Sequence, residues 1–368
     1  MSSRITHLDA VRGVAVLAIL IMNGISFGLG NVAYFDLSAP GTDSTLDWLL
    51  GIAGEVFADQ KFMGLFSLLF GASILLFLER VSTRTARPVG LSLWRNTILL
   101  LIGLAHAVAW EGDILVVYAL CAPVLLLFRG VSSRVLVGLG VLTFSAAPTL
   151  AWFVGQGISA SVIRDVWRGV VLTPETELMF LALAMDAFAR ALGMMLIGMG
   201  LYRSGAILDP APSPRLLRWS VVGVGFGAVM AGVGLWWAHT ADFDAAALVT
   251  SNIFNSVGTL PMTLGYLGLL IAWDGRLGQR WAGKIRAVGR MALTNYLLQT
   301  VLGLTVAGLA SGTVISRTHV WGVMLFVWAL QLWGSERWLR AYRYGPVEWL
   351  WRSATYRRLE PLKRRMDR

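Results

Sequence analysis

The chain of 368 residues is 56% hydrophobic and 14% charged, and it has a formal net charge of +10. A soluble globular domain has about 25% charged residues, so this composition leaves too few polar groups to cover a surface in water. Its apolar runs reach the roughly 20 residues that a helix needs to cross a bilayer, and no period-two alternation suggests a barrel. The sequence therefore predicts an all-α, polytopic integral membrane protein. Its basic residues lie in short loops and form no basic groove with interleaved aromatics, which argues against nucleic-acid binding.

In chain order, the apolar runs predict about ten transmembrane helices, at 11–30, 62–79, 91–110, 113–129, 134–154, 178–202, 215–238, 246–273, 288–310 and 319–341. Of the 31 basic residues, 26 fall on one side of this topology and three on the other, while Lys61 and Arg190 lie at membrane depth. Because cytoplasmic loops collect Lys and Arg, the asymmetry predicts that both termini face the cytoplasm.

Residues 1–345 are expected to form one transmembrane bundle, with an N-terminal half of about 1–205 and a C-terminal half of about 206–345. The segment 47–60 is too polar for lipid and too apolar for a free loop, so we expect an extra interfacial or re-entrant helix there. The tail 346–368 combines tryptophans with a basic cluster, which predicts a cytoplasmic amphipathic helix on anionic headgroups. The glycine spacing in Gly193–Gly200 and Gly223–Gly234 predicts close helix packing.

The third and fourth predicted spans hold the most informative polar residues. Arg95 and His106 are 11 residues apart, or about three helical turns, so they share one face about 16 Å apart along the axis. Glu111 and Asp113 open the next span after a tight turn, close enough to meet His106. A carboxylate beside an imidazole fixes its tautomer and raises its basicity, as a general base requires. The alternatives are a capped histidine at a span end and an arginine that only flanks the membrane.

Other polar residues also lie at membrane depth. Asp186 and Arg190 are four residues apart and predict an ion pair that is structural or, alternatively, lies on a substrate path. Interhelical hydrogen bonding is the ordinary role of the buried amides Asn23, Asn252, Asn255, Asn295 and Gln299. The remaining histidines have no partners at ligand spacing, so no metal site is predicted.

Several segments resemble known families. Leu8–Ala15 (LDAVRGVA) resembles the LDxxRGxA opening of bacterial transmembrane acyltransferases and the related heparan-α-glucosaminide acetyltransferases. Resemblance to the YeiB-like family (domain of unknown function 418) is carried by Phe66–Gly71, Gly103–Leu115 with Tyr118-Ala119, Gly289–Gln299 and Gly345–Tyr356. These segments occur in the expected order along the whole chain, so the sequence is identified as a member of that family, within the wider acyltransferase-like superfamily.

The resemblance implies which residues carry chemistry. Arg95 and His106 match the R/K-x10-H spacing of the membrane acyltransferases, and Asn23 falls where those proteins have a polar residue in the first span. Some superfamily members have an active histidine in the first span or first outer loop. Residues 14–60 contain no histidine, which leaves His106 as the candidate base.

The leading hypothesis is an acyltransferase of the bacterial inner membrane. It would move an acetyl-like group from a cytoplasmic CoA-type donor to a carbohydrate, lipid or small-molecule acceptor near the outer leaflet, without a metal. The donor's phosphates would be held by Arg95, Arg12 and Arg290, because arginine suits such contacts. His106 would be the base, oriented by Asp113 or Glu111. The oxyanion would be stabilised by Asn23, Asn295 or Gln299.

Two other functions remain open from the sequence. In a transporter or lipid flippase, Asp186, Arg190 and His106 would line a polar path across the membrane. In a non-catalytic scaffold or sensor, all of these groups would be structural. Membrane lipids are the expected partners, and exposed small-residue faces suggest a homodimer.

Overall fold

The computed structural model describes residues 5–209, 213–274 and 279–364. Within these ranges the chain forms fifteen helices and no strand: α1 (Thr6–Leu29), α2 (Asn31–Phe35), α3 (Thr45–Phe57), α4 (Lys61–Ser82), α5 (Pro88–Ala107), α6 (Leu115–Leu127), α7 (Ser133–Gln156), α8 (Ala160–Trp167), α9 (Pro174–Arg203), α10 (Pro214–Thr240), α11 (Ala245–Asp274), α12 (Gln279–Arg290), α13 (Ala292–Leu309), α14 (Arg317–Ala341) and α15 (Pro346–Tyr356). The only pairing of extended backbone in this part of the chain is an isolated bridge between Tyr342 and Lys363.

Eight helical segments of the described chain are long and apolar enough to cross a membrane, with α3 and α4 counted as one segment. The predicted all-α, polytopic membrane fold is thereby confirmed. The other two predicted spans fall on α6 and α14. With 13 residues, α6 is about 20 Å long, shorter than a bilayer core of about 30 Å. The count of ten spans and the orientation therefore stay predictions.

Contacts near the helix ends define two ends of the bundle. At the end where α1 begins, the ring nitrogen Nε2 of His7 lies 2.9 Å from the carbonyl oxygen of Ile207, just after α9. At the opposite end, the guanidinium of Arg317 donates to the carbonyl of Ala33 at 2.9 Å. We call the first the basic end, since most loop arginines lie there, and the second the distal end.

Glycines let the central helices approach closely. A Cβ placed on Gly198 of α9 would lie 1.9 Å from the backbone oxygen of Leu68 in α4. One placed on Gly227 of α10 would lie 2.6 Å from the oxygen of Gly258 in α11. Since helices in lipid associate largely through van der Waals packing, such contacts hold the bundle together. The close packing predicted for the two glycine-rich stretches is confirmed.

The predicted interfacial segment 47–60 is helical and leads directly into a span. It forms α3 at the distal end, and a short break with a positive φ of 63° at Gln60 separates it from α4. The predicted span 288–310 was wrong at its start, since α12 ends at Arg290 and α13 begins at Ala292. The carbonyl of Val288 accepts from the backbone N–H of Met291 at 3.0 Å and from the amide of Asn295 at 3.2 Å, so a side chain adds a hydrogen bond across this break.

The predicted tail helix is present as α15, and its position on anionic headgroups stays a prediction. The indole of Trp351 donates to the carbonyl of Arg95 at 2.8 Å, so this ring packs on α5. The carboxylate of Glu348 accepts from the backbone N–H of Thr294 at 3.0 Å and from its hydroxyl at 2.6 Å. The tail thus caps the start of α13, because the first N–H groups of a helix need outside acceptors.

Candidate active site

His106 lies one residue before the end of α5, toward the distal end, and is 8% exposed. Its Nδ1 is 2.6 Å from Oδ1 of Asp113, and its Nε2 is 2.9 Å from the hydroxyl of Thr300 in α13. Two helices and the turn before α6 therefore meet at one imidazole, and both ring nitrogens have a partner.

Asp113 is fixed on both of its oxygens. It stands in the turn between α5 and α6, where Oδ2 accepts from the backbone N–H of Val116 at 2.8 Å. Its side chain is 1% exposed. Because an ionised carboxylate only accepts hydrogen bonds, Nδ1 must be the protonated nitrogen in the neutral ring, which leaves the lone pair on Nε2. The hydroxyl of Thr300 then donates to Nε2, and the three groups form a carboxylate–imidazole–hydroxyl chain.

Aromatic rings enclose the imidazole. The ring centroids of Tyr296 and Trp110 lie 5.2 Å and 6.0 Å from that of His106. The indole of Trp110 also donates to the hydroxyl of Ser26 in α1 at 3.2 Å. Such walls exclude water, and hydrogen bonds and charges act more strongly in a medium of low dielectric.

Glu111 and Asp113 were both predicted to meet His106, but in the structure only Asp113 contacts it. Glu111 is exposed, and its carboxylate faces the loop after α8, where a Cβ on Gly169 would lie 3.3 Å from Oε2. The cause is the turn itself. Residues 108–114 are not helical, so two acidic groups two positions apart point in different directions.

The predicted oxyanion residues divide into two groups. The amide N–H groups of Asn295 and Gln299 both donate to protein acceptors, Gln299 to the carbonyl of Val16 and to Gln331, each at 3.0 Å. These two amides thus join α13 to α1 and α14, as the structural alternative expected. Asn23 is different, because it has no hydrogen-bond partner among the described residues.

Asn23 also lies on a useful face of α1. It is four residues before Phe27, whose ring contacts the edge of Trp110 with centroids 4.8 Å apart. Residues four apart on a helix share a face. The free amide of Asn23 is therefore directed to the same side of α1 as the aromatic wall of the His106 site.

The three predicted donor-binding arginines lie at the basic end. The guanidinium of Arg95 is stacked between the rings of Phe77 and Trp351, 4.6 Å and 4.1 Å from their centroids. Among the described residues it has no carboxylate partner, and the charges of Arg12 and Arg352 act on it. Since Arg95 and His106 lie in one unbroken helix, the expected axial separation of about 16 Å applies.

Arg12 and Arg290 differ from Arg95 in their contacts. Arg12 forms an ion pair with Asp9 at 3.2 Å. Arg290 donates to the carbonyl of Arg343 at 3.3 Å. The two lie close together because α1 packs directly against α12, where a Cβ on Gly289 would meet the backbone oxygen of Asp9 at 1.8 Å.

A second set of buried polar residues, which we call the distal polar cluster, joins α3 and α4 to α9 and α11. The predicted pair is present, with Arg190 Nε 2.7 Å from Asp186 Oδ2, and Arg190 also donates to Gln60 and Ser256. Beside it the fully buried ammonium of Lys61 donates to Asn255 and to the carbonyl of Glu55. The cluster comprises Tyr34, Asp59, Gln60, Lys61, Asp186, Arg190, Asn252, Asn255 and Ser256.

Sequence reasoning missed Thr300 and the burial of Arg317. Thr300 follows Gln299 on the ninth predicted span. Because a threonine hydroxyl in a helix ordinarily bonds to a backbone carbonyl of the same helix, its presence there did not indicate a site residue. Arg317 falls between the predicted spans 288–310 and 319–341, yet it is 1% exposed and donates to the hydroxyl of Thr42 and to the carbonyl of Ala33. Two cavities are also present, one apolar and one basic, and His106 lines neither.

Comparison with known proteins supports the motif-based assignment. The model of the family described as "Protein of unknown function (DUF418)" matches residues 201–358. The uncharacterized protein YeiB of Escherichia coli K12 is 32% identical over 96% of this chain and 97% of its own length. The uncharacterized protein YxaH of Bacillus subtilis is 27% identical over 99% and 97%, respectively. No solved structure matches the chain. With this identity to YeiB over nearly the whole length, the chain belongs to the YeiB-like DUF418 family of membrane proteins.

Proposed function

We propose that the protein is a membrane-embedded acyltransferase, with a CoA-type acyl donor bound from the basic end and an acceptor hydroxyl or amine bound beside His106. The observation that carries the proposal is the chain Asp113–His106–Thr300, with donor–acceptor distances of 2.6 Å and 2.9 Å. A carboxylate that orients an imidazole, whose other nitrogen meets a hydroxyl, is the arrangement that acyl transfer uses to deprotonate a nucleophile.

In the proposed reaction the acceptor replaces Thr300 as the partner of Nε2. His106 takes the acceptor's proton while the acceptor oxygen or nitrogen forms a bond to the thioester carbon. The carbon–sulfur bond then breaks, and the leaving thiolate takes the proton back from the imidazolium. The products are the acylated acceptor and free thiol, so protons and bonds balance, and Asp113 stabilises the transient imidazolium.

The two other elements of the proposal are supported by their positions. Asn23 has an uncommitted amide on the α1 face toward the aromatic wall, which suits a donor to the oxyanion. Arg95 presents a cation without a carboxylate partner about three turns closer to the basic end, which suits a phosphate of the donor. Because His106 is buried, the reaction requires Thr300 or Trp110 to move aside when substrates bind.

The test is transfer by purified protein. Labelled acetyl-CoA is added in detergent or in vesicles, with and without a panel of hydroxyl and amine acceptors, and both free thiol and labelled product are measured. We expect turnover by the wild type and its loss in His106→Ala. His239→Ala is the matched control, since His239 is exposed at the distal end and does not contact this site. Activity that survives His106→Ala would remove the imidazole from the mechanism.

A transporter is the second candidate, and the distal polar cluster favours it. In this cluster two buried atoms, Oδ1 of Asp186 and Nη2 of Arg190, have no hydrogen-bond partner among the residues that the structure describes. Buried charges in a membrane are costly and often mark a substrate path. Flux of a solute or lipid across sealed vesicles without any acyl donor, abolished by Arg190→Gln and not by His106→Ala, would support transport over transfer. If function survives loss of both Arg95 and His106, a scaffold role is the better description.

A further inference from the structure

A basic groove lies between α12 and α14 at the basic end, apart from the His106 site. Its cavity has a volume of about 180 Å³. The lining comprises four cationic side chains, one carboxylate and one indole, namely Arg280, Lys284, Arg337, Arg340, Glu336 and Trp333. A pocket for a drug-sized molecule measures about 300–1,000 Å³, so this groove suits a small charged group.

The positive charge of the groove is only partly balanced. Glu336 pairs with Arg340, with Nη2 and Oε1 2.8 Å apart. Arg337 and Lys284 are directed over aromatic rings instead, the first 5.5 Å from Trp333 and the second 4.8 Å from Trp281. A cation stacked on an indole keeps its N–H donors available on the side away from the ring. The groove therefore has donors and charge that suit an anion.

The face of α14 that leads to the groove changes from apolar to cationic. Phe326, Leu330, Trp333 and Arg337 are spaced four, three and four residues apart, so they form one stripe along the helix. The first three side chains are exposed, at 67%, 37% and 58%. On a membrane protein such an exposed apolar stripe contacts acyl chains, and tryptophans collect at headgroup level. The cations follow where the phosphate of a lipid would lie.

The opposite wall has the same character. In α12, Trp281 is 56% exposed, and Arg280 and Lys284 are four residues apart, on one face. On the side away from these cations, Ala282 is buried. The last turn of the helix is buried at Ala287 and Val288, where α12 packs against α1. An amphipathic helix with Lys or Arg and Trp on its outer face lies along the membrane interface. Both walls thus place an indole beside cations at one level.

From these observations we propose that the basic groove binds the phosphate headgroup of an anionic phospholipid, with its acyl chains along the Phe326–Trp333 stripe of α14. The inference is independent of the proposed acyltransferase activity. Anionic lipids are recognised by basic pockets between transmembrane helices on the side where positive charge collects.

The test compares lipid binding by two double variants. Purified protein is titrated with phosphatidylglycerol or phosphatidylcholine and bound lipid is counted by native mass spectrometry. Removing two cations that lie near an anionic headgroup is expected to lower the affinity for the lipid about 30-fold. We therefore expect Lys284→Ala/Arg337→Ala to bind phosphatidylglycerol about 30-fold more weakly than the wild type. Arg215→Ala/Arg218→Ala is the matched control, since both of its arginines are exposed at the basic end and outside the groove.

Two further measurements complete the test. Lys284→Arg/Arg337→Lys keeps the charge and should keep the lipid, which separates binding from a folding defect. Inorganic phosphate alone should not displace the lipid at millimolar concentration, and displacement would make free phosphate the ligand and overturn the lipid assignment. Equal binding of both lipids, or equal loss in the groove variant and the control, would also overturn it.

Discussion

Asp113→Asn tests the geometry of the His106 site without dismantling it. The asparagine carbonyl can still accept from the N–H of Val116, which is 2.8 Å from Oδ2 in the wild type. Its NH₂ group then faces Nδ1 of His106, where Oδ1 stood at 2.6 Å. Because the amide donates, Nδ1 must accept, and the ring proton moves to Nε2. All the hydrogen bonds persist, but Nε2 donates to Thr300 and has no lone pair for a substrate proton.

Asp113→Asn is expected to have a small effect on stability and a large effect on the rate of acyl transfer. Replacing a charge-assisted hydrogen bond, worth about 1.5–3 kcal/mol, by a neutral one of about 0.5–1.5 kcal/mol lowers stability by about 1–2 kcal/mol. General-base catalysis contributes about 100- to 10,000-fold, so acyl transfer should fall by that factor. Transfer from labelled acetyl-CoA gives the second quantity, and thermal unfolding in detergent gives the first.

Glu111→Gln is the control for Asp113→Asn. Its side chain is exposed and lies away from His106, so both stability and transfer should match the wild type. If Asp113→Asn transfers acyl groups at the wild-type rate, the carboxylate does not orient a base and the reasoning fails. If Glu111→Gln loses activity as deeply as Asp113→Asn, the assignment of Asp113 alone is wrong.

Three further predictions concern other parts of the molecule. Thr300→Val removes the partner of Nε2 and should lower the free energy of unfolding by about 1–3 kcal/mol, as measured by thermal unfolding. If the acceptor takes the place of Thr300, the rate of acyl transfer should stay within about tenfold of the wild-type rate. A loss of rate as deep as that in His106→Ala would make Thr300 itself a reactant. Gly198→Val forces a side chain against α4 and should cost about 1–3 kcal/mol in the same assay, whereas Gly225→Ala, where a Cβ meets nothing within 4 Å, should not destabilise. Burial raises the pKa of the Glu348 carboxyl above its ordinary value of 4.5, against the opposing effect of its hydrogen bonds. Docking of the tail is therefore favoured at low pH, and it weakens as the pH rises from 4.5 through the pKa that Glu348 has in the docked tail. Tryptic cleavage of the tail should increase over that pH range. In Glu348→Gln the cleavage should no longer depend on pH.

The helices could be predicted because lipid leaves the backbone few choices. Each of the ten predicted spans falls on a helix, since apolar runs of this length must satisfy their backbone groups internally. The start of the ninth span could not be placed in the same way. Its break depends on Asn295 bonding to Val288 and on Glu348 capping Thr294, and the second of these contacts comes from a segment more than fifty residues later.

The candidate site could be predicted only where its residues are near in sequence. Arg95, His106 and Asp113 lie within one helix and the turn after it, so helical spacing brought them together. Thr300 comes from 194 residues farther along the chain, and only the packing of α13 beside α5 reveals it. The choice between Glu111 and Asp113 depended on the turn after α5, whose conformation has no signature in the sequence.

Two of the interior polar units, the His106 site and the distal polar cluster, are separate from each other, and this separation decides how their functions can be assigned. The His106 site joins α5, α6 and α13, whereas the distal polar cluster joins α3 and α4 to α9 and α11, and no hydrogen bond links the two in the described chain. Mutational effects at sites with no shared partner usually add. A substitution at Arg190 that disables transport should therefore leave the His106 chemistry intact, and one at Asp113 should leave transport intact. If either substitution abolishes both functions, the two units are coupled through a movement of the bundle. Such coupling is what a single reaction that spans the membrane would require.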